Sequence, residues 1–294
     1  MIAPVPVAED TALFLEIGDL EIATRALVDS LLIGGQRSVR SGAGAEFERH
    51  REYQRGDDLR HINWRLYSRS RRLYIKEFRA ETNMPVHLIV DGSASMRTGQ
   101  PYAKYPWAIR AAAAMAWIAL QNRDAAGAAL AVEGAGEWLP PRMSSLQFQD
   151  IIGMFENHVP NGAGSMAAAL GQLSDVCRRR GVVLVCSDFV DNEDEILSAL
   201  ETLVHQGHEV LALQVLSPDE ASLPKTGDFF LCDPETGHRS KASFEATRDS
   251  YNAAIREWLV RMENNAAAAG ISWISVTTAD SLTTTLRALL QNQR

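Results

Sequence analysis

Asp91-Gly92-Ser93-Ala94-Ser95 forms a D-x-S-x-S string directly after the apolar run Val86-His87-Leu88-Ile89-Val90. The run has the length and composition of a buried strand, so one carboxylate and two hydroxyls fall at its C-terminal end. Ligand sites of open α/β sheets lie at that end of the strands. Oxygens at alternate positions of such a turn can converge on one hard cation. Magnesium suits the set, because it accepts few protein oxygens and keeps several waters. A second carboxylate, Asp188, follows the continuous apolar run Val182 to Cys186 and would reach the same rim. Against the metal reading stands a chance match of a short string, which the placement at two strand ends disfavours.

The remaining elements must carry these loops. From Leu13 to Ile33 apolar residues recur near helical spacing, with a possible break near Gly18 and Gly34-Gly35 as a stop. Residues 36–79 are rich in arginine and aromatics without a sustained period, which reads as irregular structure and short strands. Thereafter strands and helices alternate. Helices are expected at Ala103–Gln121, Ser144–His158, from Met166 to Cys177 (Met166, Leu170, Leu173 and Cys177 on one stripe) and Asp191–His205. Strands are expected at Gly127–Val132, around Trp138, and at Val210–Leu216. An insertion, Ser217 to Ser243, holds two possible short strands around a Pro234-Glu235-Thr236-Gly237 turn. A helix, a strand at Ile271–Val276 and a last helix marked by Leu282, Leu286 and Leu289 follow. This pattern predicts an α/β fold, a mainly parallel sheet with helices on both faces.

Composition narrows the function classes. The chain has 294 residues, 46% hydrophobic and 22% charged, with a net charge of -8. Its three cysteines, Cys177, Cys186 and Cys232, form neither a disulfide framework nor a C-x-x-C site. No stretch suits a membrane span and no signal peptide is evident, so a cytoplasmic protein without membrane insertion is expected. Residues 37–79 hold eleven arginines and one lysine against six acids, a surplus of six positive charges, which leaves -14 for the rest. Interleaved charges favour an internal ion-pair network that clamps this segment onto the acidic body, with Phe47, Trp64 and Phe78 as apolar anchors. Nucleic-acid binding is the alternative, and the acids and a pI near 5.4 count against it. There is no G-x-x-x-x-G-K-[ST] loop and no G-x-S-x-G elbow, so neither a P-loop ATPase nor an esterase is expected. His205 and His208 read as exposed, His87 as a core or sheet-face histidine, and Cys177 and Cys186 as apolar filling.

The D-x-S-x-S rim resembles the metal-ion-dependent adhesion site of von Willebrand factor A-like domains. The resemblance implies a metal site of Asp91, Ser93 and Ser95, with Asp188 from a third loop; Ser93 and Ser95 would be the direct oxygen ligands, while Asp91 and Asp188 would supply charge and anchor the site from behind them. A second loop of that family supplies a threonine, where this chain reads Gly162-Ala163-Gly164-Ser165. Ser165 offers the hydroxyl if the loop is shifted by one residue; otherwise Gly164 stands there. A second resemblance covers Gly34 to about Met96. The strings Gly44-Ala45-Glu46-Phe47, Arg51-Glu52-Tyr53-Gln54-Arg55-Gly56-Asp57-Asp58 and Arg60-His61-Ile62-Asn63-Trp64-Arg65 are similar to the signature of the domain of unknown function 58 family. Leu73-Tyr74-Ile75-Lys76-Glu77-Phe78 continues it, and Asp233-Pro234-Glu235-Thr236-Gly237 resembles a later element. The marked positions of the segment are Arg51, Tyr53, Gly56, Asp57, Asp58, Arg60, Trp64, Lys76 and Glu77. The expected division is an N-terminal helix with the arginine-rich signature segment at residues 1–80, packed on the von Willebrand factor A-like, Rossmann-type domain at residues 81–294 that this family implies.

The expected function is a non-enzymatic, metal-dependent protein-binding module that takes Mg²⁺ or Mn²⁺ weakly and meets a carboxylate-bearing client. The family resemblance implies partnership with a MoxR-type AAA+ ATPase in assembly or maturation of a protein complex. Two alternatives remain open: a metal-assisted hydrolase, for which the sequence names no convincing base, and a metal-free adaptor that binds through the basic segment.

Overall fold

The computed structural model of the chain describes residues 8–33, 46–53, 62–79, 84–133, 136–223, 228–232 and 239–291. They divide into two units, Gly35–Asn83 and a body made of Met1–Gly34 with Met84–Arg294. The sequence had grouped residues 1–80 together. The difference lies in two N-terminal helices, α1 (Glu9–Glu16) and α2 (Leu20–Ile33), which belong to the body. The expected break falls between them at residues 17–19.

The smaller unit is a hairpin and a short helix. Strand β1 (Glu46–Glu52) pairs antiparallel with β2 (Tyr74–Arg79), and α3 (Trp64–Ser70) lies between them in sequence. Caps fix α3: Asn63 Oδ1 accepts from the Leu66 amide, and Arg71, left-handed at φ 57°, donates its amide to the Tyr67 carbonyl.

The body is built on β3 (Val86–Asp91), α4 (Lys104–Gln121), β4 (Ala126–Ala131), β5 (Trp138–Arg142), α5 (Ser145–Asn157), α6 (Met166–Val176), β6 (Val182–Ser187), α7 (Glu193–His205) and β7 (Glu209–Leu216). It continues through α8 (Pro218–Ala221), the hairpin β8 (Asp228–Cys232) and β9 (Arg239–Ser243), α9 (Phe244–Ala268), β10 (Ser272–Thr277) and α10 (Leu282–Gln291). The sheet order is β10-β7-β6-β3-β4-β5. Every neighbouring pair is parallel except β4 with β5, whose antiparallel strand closes one edge. This is the expected α/β, Rossmann-type arrangement of a mainly parallel sheet.

The central strands are buried along their whole length, which is why they read as continuous apolar runs instead of alternating ones. On one face Ile89, Val183 and Val185 pack with Met166, Leu170 and Leu173 of α6 and Ile196, Leu200 and Leu203 of α7. On the other, Leu88 and Val90 pack under α4. That helix is apolar nearly all round: Trp107 and Ala111 to Ala114 have no exposed surface. The cause is a third layer, because α2 and α5 cover the side of α4 that faces away from the sheet. Arg110, buried inside α4, ties the layer down by donating to the carbonyls of Phe14 (2.7 Å) and Ile17 (2.8 Å) at the end of α1. These bonds satisfy carbonyls a helix end leaves free. Asp10 and Thr11 in turn hold the start of α10, where Leu282 and Thr283 donate to their side chains.

Chain continuation from β3 goes to β4 on one side, while β6 lies on its other side. The C-terminal ends of β3 and β6 therefore border a switch point, where the sheet opens into a crevice. Asp91 and Asp188 sit there.

Candidate metal centre

Asp91 is the last residue of β3 and is 6% exposed. Its Oδ1 accepts from the Ser93 amide at 2.9 Å, and its Oδ2 accepts from the Ser187 hydroxyl at 2.5 Å. The tight turn after the strand brings Ser93 Oγ and Ser95 Oγ within 2.9 Å of each other. Two loops hold this turn from opposite sides. The Ala94 amide donates to the Gly162 carbonyl, the Asn161 amide donates to the Gly92 carbonyl, and Gly92 N–H donates to Ala131 on β4. His158 closes the edge: its Nε2 lies 3.0 Å from the Gly92 carbonyl, so this nitrogen carries the proton and donates.

The second loop approaches through Gly164. A Cβ there would lie 3.0 Å from Asp91 Oδ1 and 2.9 Å from Ser93 Cβ. Gly164 thus stands beside the carboxylate and brings no side-chain oxygen. Ser165 holds the N-cap position of α6, and its hydroxyl makes no cap hydrogen bond.

On the third loop Ser187 bridges, donating to Asp91 while accepting from the Phe189 amide at 3.0 Å. Phe189 has φ of 55° and no exposed surface, its ring against Trp273 at 4.6 Å between centroids. A bulky side chain in the left-handed region is costly, and buried packing holds it there. That turn sets Asp188 beside a group the sequence reading missed. Lys104, the first residue of α4, is 1% exposed at its side chain, and its Nζ meets Asp188 Oδ2 at 2.8 Å and Glu220 Oε1 at 2.7 Å. Glu220 is itself anchored by a capping box, with Ser217 N–H donating to its Oε2. A string Ser217-Pro218-Asp219-Glu220 is a legible capping signal, but nothing in it announces Lys104 as its target.

Burial pushes the Asp91 carboxyl up to about 6, with the charge of Asp188 adding to the rise. Burial pulls Lys104 down, yet the charges of Asp188 and Glu220 outweigh it and hold the ammonium above the ordinary lysine range. Asp188 therefore has its cation. Asp91 has none among the described residues.

A family defined as "Protein of unknown function DUF58" matches residues 49–259. The chain belongs to that family. It is 30% identical over 251 residues to uncharacterised proteins of Mycobacterium tuberculosis and Mycobacterium bovis, covering 84% of this chain and 78% of each relative. Among solved structures, BatB of Bacteroides thetaiotaomicron superposes with a TM-score of 0.50 at 17% identity, over 71% of this chain and 96% of that one. The SpRpn10 VWA domain gives a TM-score of 0.41 at 9% identity, over 70% and 94%.

Of the DUF58 signature positions, Gly56, Asp57, Asp58 and Arg60 lie outside the described residues, as does the Asp233–Gly237 element. Arg51, Lys76 and Glu77 lie on the β1–β2 hairpin, and Tyr53 is half-buried just after it. Trp64 corrects an expectation. Expected as an apolar anchor, it is 62% exposed, because α3 buries none of its residues and is set by its caps; its ring meets Tyr67 edge-on. His208 corrects another. It is 5% exposed, with Nε2 3.4 Å from the Cys177 carbonyl, whereas His205 stands at the surface. His87 is a core residue, as read, and burial lowers its pKa to about 4 with His208 adding to the effect. Cys177 Sγ lies 3.5 Å from its Nδ1.

The chemistry on offer is oxygen ligation. Among the described residues no three His, Cys, Asp or Glu side chains are grouped to hold a metal ion, so a soft-metal site is not formed there. Asp91, Ser93 and Ser95 fit a small hard cation: a desolvated carboxylate without a counter-charge stands next to two convergent hydroxyls. Among the described residues, no helix is long and apolar enough to cross a membrane.

Proposed function

We propose that this DUF58 protein is a non-enzymatic binding module whose rim takes Mg²⁺ or Mn²⁺ at Asp91, Ser93 and Ser95 and presents it to a carboxylate of a protein client. One observation carries the reading: a nearly buried carboxylate with no cationic partner among the described residues sits against two hydroxyls 2.9 Å apart. A divalent ion bound there supplies an electrophilic, partly hydrated docking point. The chain's own residues set its surroundings. Ser187 and the Ser93 amide orient Asp91, and Gly164, without a Cβ, lets the second loop approach it closely. His158 donates from Nε2 to the Gly92 carbonyl and so holds the turn.

The adaptor role with a MoxR-type AAA+ ATPase, working in assembly or maturation of a complex, completes the proposal. It rests on the family resemblance, and a soluble cytoplasmic setting goes with it. The test is capture of the ATPase from native lysate by the full chain, with magnesium and with chelator, beside Asp91→Ala. Metal-dependent capture that Asp91→Ala abolishes supports the proposal. Capture that is indifferent to both favours the metal-free adaptor.

A further inference from the structure

The buried ammonium of Lys104 lies on the rim that the metal reading uses, and that reading gives it no task. A lysine at the first position of a helix opposes the helix dipole, and a fully buried one needs strong compensation. Here two carboxylates supply it, Asp188 at 2.8 Å and Glu220 at 2.7 Å. The consequence falls on Asp188. Its Oδ2 is engaged by Lys104, its Oδ1 accepts from the Val190 amide at 3.3 Å, and its carbonyl accepts from Gln214. To ligate a metal through Oδ2, Asp188 must leave a buried ion pair, with Glu220 then the one carboxylate left against the ammonium.

We infer that Lys104 is a specificity-determining residue that withholds Asp188 from the divalent ion, so the ion bound at Asp91, Ser93 and Ser95 has Asp91 as the one carboxylate beside it without a cationic partner among the described residues. This rests on the metal reading above and deepens it. Gly164 adds no oxygen to the set. An Mg²⁺ ion beside one such carboxylate keeps a net positive charge, and Lys104 offsets one of the two negative charges that Asp188 and Glu220 would otherwise add. Such an ion binds weakly by itself and gains most from an acidic ligand on the partner. Lys104 thus trades affinity for the metal against affinity for the metal-bound client.

Mn²⁺ titration of the full chain, followed by the electron paramagnetic resonance of free Mn²⁺, tests this. Wild type is compared with Asp91→Asn, Asp188→Asn, Lys104→Met and the double variant Lys104→Met/Asp188→Asn, each checked for a cooperative thermal melt. Asp188→Asn should bind no more than about threefold more weakly than wild type, the effect of one lost charge, whereas Lys104→Met should bind about tenfold tighter, within the range that outer-shell groups command. The double variant should return to the wild-type value. An Asp188→Asn that loses about tenfold, or a folded Lys104→Met that gains nothing, overturns the role of Lys104. If neither single variant folds, the double variant decides, since it removes both charges together; a tenfold loss there has the same meaning. Asp91→Asn separates the two ideas: if it binds Mn²⁺ as wild type does, the metal reading itself falls.

Discussion

Replacing Asp91 by asparagine should stabilise the metal-free protein at alkaline pH, and the size of the effect follows from the burial of the carboxylate. Its pKa is raised from an ordinary 3.8 to about 6, first by burial and then by Asp188. Between those values the native state binds more protons than the unfolded chain, so stability falls as pH rises through that window. At about 1.4 kcal/mol per unit, the charge costs on the order of 1–2 kcal/mol at pH 5 and about 3 kcal/mol at pH 8. Asparagine keeps an oxygen for the Ser93 amide but presents a donor to Ser187, whose hydroxyl now points at Oδ2. That mismatch costs on the order of 1–2 kcal/mol. The net expectation is a variant about 1–2 kcal/mol more stable than wild type at pH 8 and near equal at pH 5. Urea denaturation in chelator at both pH values measures it, and groups common to both proteins cancel. With 10 mM-scale magnesium the sign should reverse, because only wild type gains from linkage to the ion. A variant less stable than wild type by the same amount at pH 5 and pH 8 would refute the account, since no desolvated charge would then be at stake.

Further expectations concern the loops and the layers. Gly164→Ala places a Cβ 2.9–3.0 Å from Ser93 and Asp91, so it should weaken Mn²⁺ binding and lower the melting temperature, both measurable on one sample. Arg110→Met should cost roughly 2–4 kcal/mol, because the carbonyls of Phe14 and Ile17 lose their buried partner; faster proteolysis within residues 8–33 would report it. Trp64→Ala should change stability by less than about 1 kcal/mol in chemical denaturation, since its ring is exposed. The purified chain should hydrolyse no ATP, and turnover that follows the protein through several columns and vanishes in Asp91→Ala would contradict the binding-module proposal.

The sequence by itself determined the α/β class, nearly every element of the body, and the meeting of the loops after β3 and β6. The reason is local. Strands buried on both faces must be continuous apolar runs, and the residue after such a run falls on the rim whatever else the chain does. The D-x-S-x-S turn brings its own oxygens together locally, with Asp91 accepting from the Ser93 amide and Ser93 Oγ beside Ser95 Oγ, while Ser187 and the Asn161–Gly162 loop fix it from afar. Tertiary structure alone decided the rest. Periodicity says which face of a helix is apolar but not what covers it, so the membership of α1 and α2 in the body waited on Arg110 and Asp10 finding partners about a hundred and about 270 residues away. The same limit hid Trp64, an aromatic whose burial depends on neighbours that spacing cannot name. Lys104 is the sharpest case. A lone lysine at the start of an apolar helix reads as a solvated end. It becomes a buried counter-charge because two loops, 84 and 116 residues further along, bring Asp188 and Glu220 to its ammonium. Electrostatics in a crevice is set by what converges there, and convergence is a property of the fold.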